Sequence, residues 1–422
     1  MKISYLRKIL VMITTLLTYM LNVFAQNTSY SANTNLINGS YSTAFGVNTL
    51  PSNSGSNNTA NGYQSLFSNT TGNNNTATGM QSLVSNNIGN NNTAIGMQTL
   101  YYNTAGSNNT ANGYQALIFN TTGGNNSAHG AQALYYNTTG SNNTALGYQS
   151  LYSNTSGGNN TANGFYSLYF NTSGNYNTAN GYYSLLYNTT GDQNTATGVF
   201  SLFGNTSGIH NTANGYSALR SNSTGNNNTA DGWGSLYSNF NGNNNIALGD
   251  SAGYLSTGSR NVFLGNLAGY YESTGSNKLY LANDSNKTIL YGDFSTGQVL
   301  MGKGNPAGYT FKGTRTLNVL GGIIADSMRV ALSSTWADYV FADDYKLKPL
   351  DDLASYLKSN KHLPNVPSAD EVAKNGIELG SMDAKLLEKI EELHLYILQQ
   401  QQQITQQQKE INELKVLVVK PN

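Results

Sequence analysis

The residue types that most often carry chemistry are few in this chain and lie far apart. Its 422 residues include 4 histidines and no cysteine. His129 and His210 lie among repeats, whereas His362 and His394 lie near the C-terminus, and none has a second ligand at metal-site spacing. We therefore expect structural or solvated histidines and no catalytic, cofactor or metal site.

Carboxylates are equally scarce over the first half of the chain. The Gly123-Gly124 pair superficially matches the calcium-binding β-roll nonapeptide, but that motif needs a recurrent aspartate. Between residues 26 and 249 the charged side chains are Asp192, Arg220 and Asp231. Such a surface has no electrostatic hold on phosphates, so we expect neither calcium nor a nucleic-acid partner.

Asparagine, leucine and glycine recur instead at a fixed spacing of 17 residues, from Gly62 to Gly249 without a slip. If one period is one coil, equivalent residues stack on one another. Leucines then form an internal column and asparagines form a side-chain amide ladder. The positions that we expect to set this structure include Gly62, Leu66, Asn69, Gly79, Leu83, Asn86, Gly113, Leu117 and Asn120.

The fold predicted from this period is mainly β, a parallel β-solenoid or β-roll of 17-residue repeats. Thr76-Ala77-Thr78 and its equivalents alternate as a strand that turns alanine inward. Tyr63 to Leu66 is a step of three that suits either a helical turn or a bent strand. We favour a strand there as well, because Asn, Gly and Thr are poor helix formers.

The ends of the chain differ from the repeats. Lys2, Arg7 and Lys8 precede an apolar run that ends before Ala25, the layout of a secretory signal peptide cleaved after Ala25. A retained membrane anchor is the alternative, although the run is short for a span. We divide the chain into a signal peptide at 1–25, a solenoid at 26–305, a β neck at 306–335, a small helical module at 336–382 and a coiled coil at 383–419.

The small module is predicted to contain two helices. Asp351 is the expected N-cap of the first. Ser368 and Glu371 have capping-box spacing at the start of the second, and Gly376 is its expected stop.

Apolar residues then fall at heptad spacing in the last helix. One set is Ile390, Ile397, Ile404, Ile411 and Val418, and the alternate set is Leu386, Leu393, Gln400, Gln407 and Leu414. This pattern indicates a parallel coiled coil and therefore a homo-oligomer. The β-branched set favours two strands and the glutamine layers favour a wider core, so the seam alone leaves dimer and trimer open, with a trimer preferred.

The Asn-Thr-Ala-x-Gly signature in stacked periods resembles the head domains of trimeric autotransporter adhesins. That resemblance covers about half of the chain and implies parallel β-rolls followed by a neck and a coiled coil. The segments Ser334 to Phe341, His362 to Ser368 and Leu386 to Leu393 resemble the tail-fibre-like C-terminal region of secreted Bacteroidetes proteins, whose layout is similar to phage tail-spike chaperone domains. This second resemblance implies a bacterial chain with a trimerising tail.

Some chaperone domains of that kind cleave themselves with a serine followed closely by Asp and Lys. Ser333 and Ser334 lie near the corresponding place, but the next Asp is Asp338 and the next Lys is Lys346. We therefore expect a module that trimerises without cleavage.

Together these features predict a non-enzymatic, secreted or cell-surface adhesin or tail-fibre-like protein. Its repeats would present Asn, Thr and Tyr to a glycan or protein ligand, without an integral membrane segment in the mature chain. Two alternatives stay open. The Thr columns could form an ice-binding face, and an Asn-rich and Gly-rich periodic chain could form a functional amyloid.

Overall fold

The structure is a computed structural model that describes residues 14, 30–33, 41–302, 309, 311, 314–330 and 336–418. The predicted signal peptide and its cleavage site, apart from residue 14, lie outside these residues. The chain forms two compact units, one up to Gly322 and the other from Ile323 onward.

The first unit contains one 19-stranded sheet. Its strands are β1 Tyr30–Asn33, β2 Ser42–Phe45, β3 Thr59–Asn61, β4 Thr76–Thr78, β5 Thr93–Ile95, β6 Thr110–Asn112, β7 Ser127–His129, β8 Thr144–Leu146, β9 Thr161–Asn163, β10 Thr178–Asn180, β11 Thr195–Thr197, β12 Thr212–Asn214, β13 Thr229–Asp231, β14 Ile246–Leu248, β15 Val262–Leu264, β16 Lys278–Ala282, β17 Thr288–Asp293, β18 Gln298–Gly302 and β19 Leu317–Leu320.

The parallel β-solenoid predicted from the 17-residue period is confirmed. Successive strands from β2 to β16 pair in parallel, and each alanine lies beside the alanine of the next coil, as Ala94 does beside Ala111. The central residue of each strand is buried while its neighbours face outward, as in β6. Alanine at this position fits because the coil is narrow and the leucine column fills the opposite side.

The other half of each coil is not the strand that we favoured. It is a turn in which two residues have left-handed backbone, for example Gln98 at φ 56° and Leu100 at φ 52°. The Gln98 N–H donates to Met80 O of the preceding coil at 2.9 Å, and the Leu100 N–H donates to Ala116 O of the following coil at 3.0 Å. Left-handed leucine costs about 1–3 kcal/mol, and bonding to both neighbouring coils compensates for it.

Antiparallel strands close the stack at both ends. β1 pairs antiparallel with β2, and β16 to β18 form an antiparallel meander. β19 lies in the segment that we assigned to a neck, and it pairs in parallel with β18, so it continues the sheet.

The second unit is helical. A 3-10 helix spans Ala337–Phe341, and the α-helices are α1 Leu350–Asn360, α2 Ala369–Asn375 and α3 Leu379–Val418. Asp351 is not the N-cap of α1, because the cap is Pro349, whose fixed backbone geometry starts the helix while Asp351 lies in its first turn. The Ser368 capping box of α2 is confirmed, and Gly376 is its C-cap. None of the helices in the described ranges is long and apolar enough to cross a membrane.

Candidate binding surface

Two buried amide ladders hold the coils in register. In the first, each asparagine donates through Nδ2 to Oδ1 of its equivalent one coil earlier, as Asn86 does to Asn69 at 2.7 Å and Asn120 to Asn103 at 2.7 Å. In the second, the Oδ1 of Asn75 accepts from the backbone N–H of the following equivalent at 3.0 Å. Charge-free polar columns of this kind, bonded along their length up to the unpaired Asn239 Oδ1 at the end of the first ladder, fix one stacking register.

The repeat glycines lie where adjacent coils approach most closely. Gly62, Gly79 and Gly113 have φ values of 131°, 132° and 143°, a region that other residues rarely adopt. A Cβ on Gly79 would lie 2.4 Å from Gly96 O. The leucines of the repeat, including Leu66, Leu83 and Leu117, are fully buried in the core. The repeat residues singled out from the sequence therefore serve the scaffold, and the functional surface lies elsewhere on each coil.

A third ladder on the surface was missed by sequence reasoning, although its signal is present. A glutamine stands two residues after the repeat glycine in six successive coils: Gln64, Gln81, Gln98, Gln115, Gln132 and Gln149. Their side-chain amides are bonded in sequence, for example from Gln81 Nε2 to Gln64 Oε1 at 3.1 Å. In the next coil the position becomes Tyr166, and aromatic residues replace the ladder.

Aromatic side chains form two neighbouring columns on the solenoid surface. The outer column is the residue directly before each asparagine of the first ladder, and it contains Ser85, Tyr102, Phe119, Tyr136, Ser153, Phe170 and Tyr187. The inner column is one residue earlier and contains Tyr101, Ile118, Tyr135, Tyr152, Tyr169, Leu186, Phe203 and Arg220. Rings stack within each column, with centroids 4.9 Å apart for Tyr152 and Tyr169 and 5.3 Å apart for Phe119 and Tyr136.

A third group of rings joins these columns near the middle of the solenoid. Tyr166 meets Tyr169 edge to face at 4.9 Å, and Phe200 meets Phe203 at 5.6 Å. Between these pairs lies a groove of about 350 Å³, lined by Tyr166, Tyr169, Phe170, Tyr183, Leu186, Tyr187, Phe200 and Phe203. A second groove of about 620 Å³ follows the outer column and is lined by Ser85, Tyr102, Thr104, Phe119, Thr121, Tyr136, Thr138, Ser153 and Thr155. Contiguous exposed apolar surface of this kind marks a site of interaction.

The phenols of Tyr152 and Tyr183 on this surface remain neutral across the physiological range. Burial, with smaller contributions from neighbouring tyrosines, raises the pKa of Tyr152 to about 12. A hydrogen bond to Tyr182, followed by burial, raises the pKa of Tyr183 to about 12. The surface therefore offers aromatic rings and hydroxyls rather than phenolate charge.

Arg220 replaces an aromatic ring in the inner column. Its guanidinium lies 5.4 Å from the Phe203 ring and 5.5 Å from the Tyr237 ring, one coil away on either side. The flat guanidinium thus continues the stack as a ring would.

The histidines are not brought together. His210 Nε2 lies 2.9 Å from Gln193 Oε1, and His394 Nδ1 lies 2.8 Å from Ile390 O, so both have local partners. His129 ends β7, and His362 Nδ1 lies 3.0 Å from Leu363 O. Within the described ranges no group of three His, Cys, Asp or Glu could hold a metal ion. Ser333 and Ser334, considered for self-cleavage, lie outside the described residues.

Helix α3 carries its heptad residues on a face that its own chain leaves uncovered. Leu386, Ile390, Leu393, Ile397, Ile404, Ile411 and Leu414 are 43–59% exposed, and Gln400 and Gln407 are exposed with them. The opposite face packs within the unit, where Tyr339 Oη donates to Glu388 Oε2 at 2.7 Å and Tyr396 Oη donates to Lys348 O at 2.6 Å. The unit therefore buries a polar face of the helix and exposes its apolar one.

A buried ion cluster fixes this arrangement. Lys389 Nζ lies 2.7 Å from Glu388 Oε1 and 2.9 Å from Glu392 Oε2. Burial acts to raise the pKa of Glu388, but hydrogen bonds from Lys389, Tyr339 and Asn365 outweigh it and hold that pKa below its usual value. Burial acts to lower the pKa of Lys389, and its two carboxylate partners raise it instead. One ammonium group thus serves two carboxylates inside the unit, and the phenol of Tyr339 donates to Glu388 as well.

Comparison of the chain with protein-family models, with curated proteins and with solved structures gives no match.

Proposed function

We propose that this protein is a non-enzymatic, secreted or cell-surface fibrous adhesin of tail-fibre-like organisation. Its solenoid presents a ring-rich and hydroxyl-rich surface to a glycan or protein ligand, and its C-terminal helix joins copies of the chain. The observation that carries this proposal is the exposed outer column, in which Tyr102, Tyr136 and Tyr187 are 42–44% exposed, beside an inner column that is half-buried or buried. Isolated exposed rings are ordinary, whereas aligned rings on successive coils form a continuous contact surface.

The scaffold beneath the columns supports this role. Each coil is fixed to its neighbours by buried amide ladders and by backbone bonds from both halves of the coil. A surface that is already ordered loses little conformational entropy on binding. The absence of charged residues in the sequence between positions 26 and 191 makes dispersion and hydrogen bonding the dominant forces there.

Oligomerisation is supported by the uncovered heptad face of α3. Seven large apolar side chains are exposed at heptad spacing, and a partner helix that covered them would remove this apolar surface from water. A parallel coiled coil, with a trimer preferred, would join the copies of the chain through this face. In this proposal the segment before α3 is a short neck and a non-cleaving trimerisation module.

The sequence signal for export, rather than the described structure, supports the location. A cleaved signal peptide would deliver the mature chain to the cell surface or the medium, and no bound cofactor or metal is part of the proposal. The third outward position of the strands carries Ile95, Leu146 and Asp231, which interrupts the regular Thr array that an ice-binding face would use. Antiparallel pairing near both ends of the stack interrupts the parallel register that end-to-end fibril growth would extend.

The test uses the mature chain and two variants. Light scattering should give a discrete oligomer, and Ile397→Asp with Ile404→Asp should give monomers, since charges at the seam cannot be buried. Gln399→Asp with Gln406→Asp, both at heptad positions away from the seam, is the matched double control and should remain oligomeric. Arrays of glycans and of extracellular matrix proteins should then show binding by the wild-type oligomer. A correctly assembled oligomer that binds neither class would overturn the adhesin proposal.

A further inference from the structure

The outer column is interrupted by one missing ring. Tyr102, Phe119 and Tyr136 form one stack, with centroids 5.2 and 5.3 Å apart and ring planes within 9°. Phe170 and Tyr187 form a second, with centroids 5.4 Å apart and planes within 5°. Ser153 occupies the position between the two stacks.

The interruption leaves Tyr136 and Phe170 without a parallel stacked ring on the side of Ser153, although Tyr152 meets Tyr136 edge to face at 5.2 Å. Tyr136 and Phe170, which flank Ser153, are 43% and 39% exposed. Phe119, which has a ring on each side, is half-buried and therefore less exposed than either of them. Tyr136 and Phe170 are two coils apart, which corresponds to about 10 Å at the spacing of hydrogen-bonded strands. That distance is two stacking steps, so the space above Ser153 has the thickness of one ring.

Hydroxyl groups line the bottom and one side of this space. The Ser153 hydroxyl makes no hydrogen bond with any described residue. Beside it, Thr138 Oγ1 donates to Thr155 O at 2.9 Å and Thr155 Oγ1 donates to Thr172 O at 2.9 Å. Both threonine protons are engaged, and their oxygen lone pairs are free to accept hydrogen bonds.

We propose that Tyr136, Ser153 and Phe170 form a slot that takes one pyranose ring of a neutral glycan. The C–H faces of the sugar would lie against Tyr136 and Phe170, and its hydroxyl edge would reach Ser153, Thr138 and Thr155. The groove of about 620 Å³ that runs along the stack from Ser85 to Ser153 accommodates the neighbouring sugars of the same chain. This inference rests on the proposed adhesive function and names the ligand class and its site.

Two features distinguish a neutral sugar from other rings. The sequence has no charged residue between positions 26 and 191, so a carboxylated or sulfated sugar would find no cation at the slot. An aromatic side chain in the slot could pack against Tyr136 and Phe170 but would leave the Ser153 hydroxyl without a hydrogen bond. We therefore expect an aromatic side chain to bind the slot more weakly than a polyhydroxylated ring does.

The experiment fills the slot in the intact mature protein. Calorimetry with cellohexaose, xylohexaose, mannohexaose and chitohexaose identifies a neutral probe, and a hexagalacturonate serves as the acidic comparison. Ser153→Tyr should extend the stack and abolish binding of the neutral probe. Ser221→Tyr is the matched control, since its outer-column neighbours are Gly204 and Ser238, and it should bind as wild type does.

A second variant guards against misfolding. Phe170→Ala removes one wall without filling the slot and should weaken binding by up to about tenfold, the value of one aromatic contact. Circular dichroism should be unchanged in all three variants. Undiminished sugar binding by Ser153→Tyr and Phe170→Ala would overturn the slot and leave the adhesive function standing. Preference for the hexagalacturonate, or binding of matrix proteins without any sugar, would overturn the neutral-glycan assignment alone, and binding of nothing would overturn both proposals.

Discussion

Replacement of one asparagine of the first ladder tests whether the buried amides hold the coils together. Asn103 donates to Asn86 Oδ1 at 2.8 Å and to Gly106 O at 3.0 Å, and its own Oδ1 accepts from Asn120 at 2.7 Å. Gly106 O also accepts from Asn92 at 2.9 Å, so it keeps one donor when Asn103 is removed. Two buried groups then lose a partner, the Oδ1 of Asn86 and one N–H of Asn120.

Each of these groups costs about 1–3 kcal/mol when it is left unsatisfied, so Asn103→Ala should destabilise the surrounding coils by about 2–6 kcal/mol. Stability in a repeat array is a sum of local terms, which makes a global unfolding midpoint a poor measure. Hydrogen exchange is the appropriate assay. Opening free energies should fall for amides in the coils next to Asn103 and should be unchanged in distant coils such as those around Asn222.

Two further variants sharpen this test. Asn112→Ala changes an exposed asparagine at the end of β6 and should alter the opening free energy by less than about 0.5 kcal/mol. Asn103→Asp keeps the acceptor for Asn120 but loses both donated bonds, and burial should raise its pKa. An acid whose pKa is raised in the folded state is favoured at low pH, so this variant should lose stability as the pH rises above about 4. Equal opening free energies for Asn103→Ala and Asn112→Ala would refute the role of the ladder.

Three other outcomes are expected. Gly147→Ala should disrupt the solenoid locally, with loss of hydrogen-exchange protection in β8 and β9. The added Cβ would lie 2.5 Å from Gly164 O, and the backbone φ of 134° is one that alanine rarely adopts. Hydrogen-exchange protection equal to that of the wild type would contradict this close approach. Lys389→Met should destabilise the helical unit by roughly 3 kcal/mol, because it leaves Glu388 and Glu392 without their cation. Because the pKa of Glu388 is held low, the stability of the wild-type unit should be present above about pH 4.3 and should fall as the pH drops further. Denaturant unfolding followed by helical dichroism measures both effects. Burial raises the pKa of Tyr152 to about 12, so the folded state should lose stability as the pH rises above about 10, where the unfolded phenol ionises first. The difference in tyrosinate absorbance between the wild type and Tyr152→Phe isolates this phenol, and a midpoint near pH 10 for it in the folded protein would contradict the raised pKa.

The stacking of the coils was predictable from the sequence. Leucine recurs every 17 residues, and Leu66 and its equivalents can be buried together only if each repeat forms one coil that stacks on the next. The turn half of the coil was not predictable from propensities. Leucine rarely has a left-handed backbone, and here the turn that contains it is bonded to the following coil through the leucine and to the preceding coil through the residue two positions earlier, which local rules do not consider.

The surface was only partly predictable. Tyrosines such as Tyr152 and Tyr169 were identified as possible contacts from their repetition, but their stacking depends on which column each one occupies. The start of α1 was wrongly predicted, because Pro349 is its N-cap and Asp351 lies two residues later, inside the first turn. The slot at Ser153 is recognisable in sequence only after the outer column is aligned, since it consists of one small residue among large ones.

The coils of the solenoid make the same contacts in the same register, so the number of coils can change without a change in the contacts. Every interior coil meets its neighbours through the same amide and backbone bonds, so loss or duplication of 17 residues would remove or add one interface of a kind already present. The solenoid would shorten or lengthen by about 4.8 Å per unit, without repacking of its core. The slot at Ser153 would respond differently to such a change. A ring-bearing coil inserted beside Ser153 would keep a gap of one coil with a new ring on one side, whereas a coil with a small residue there would widen the gap between Tyr136 and Phe170 to two coils. Changes of one repeat therefore alter the length of the solenoid wherever they occur, and they alter the slot only when they occur next to Ser153.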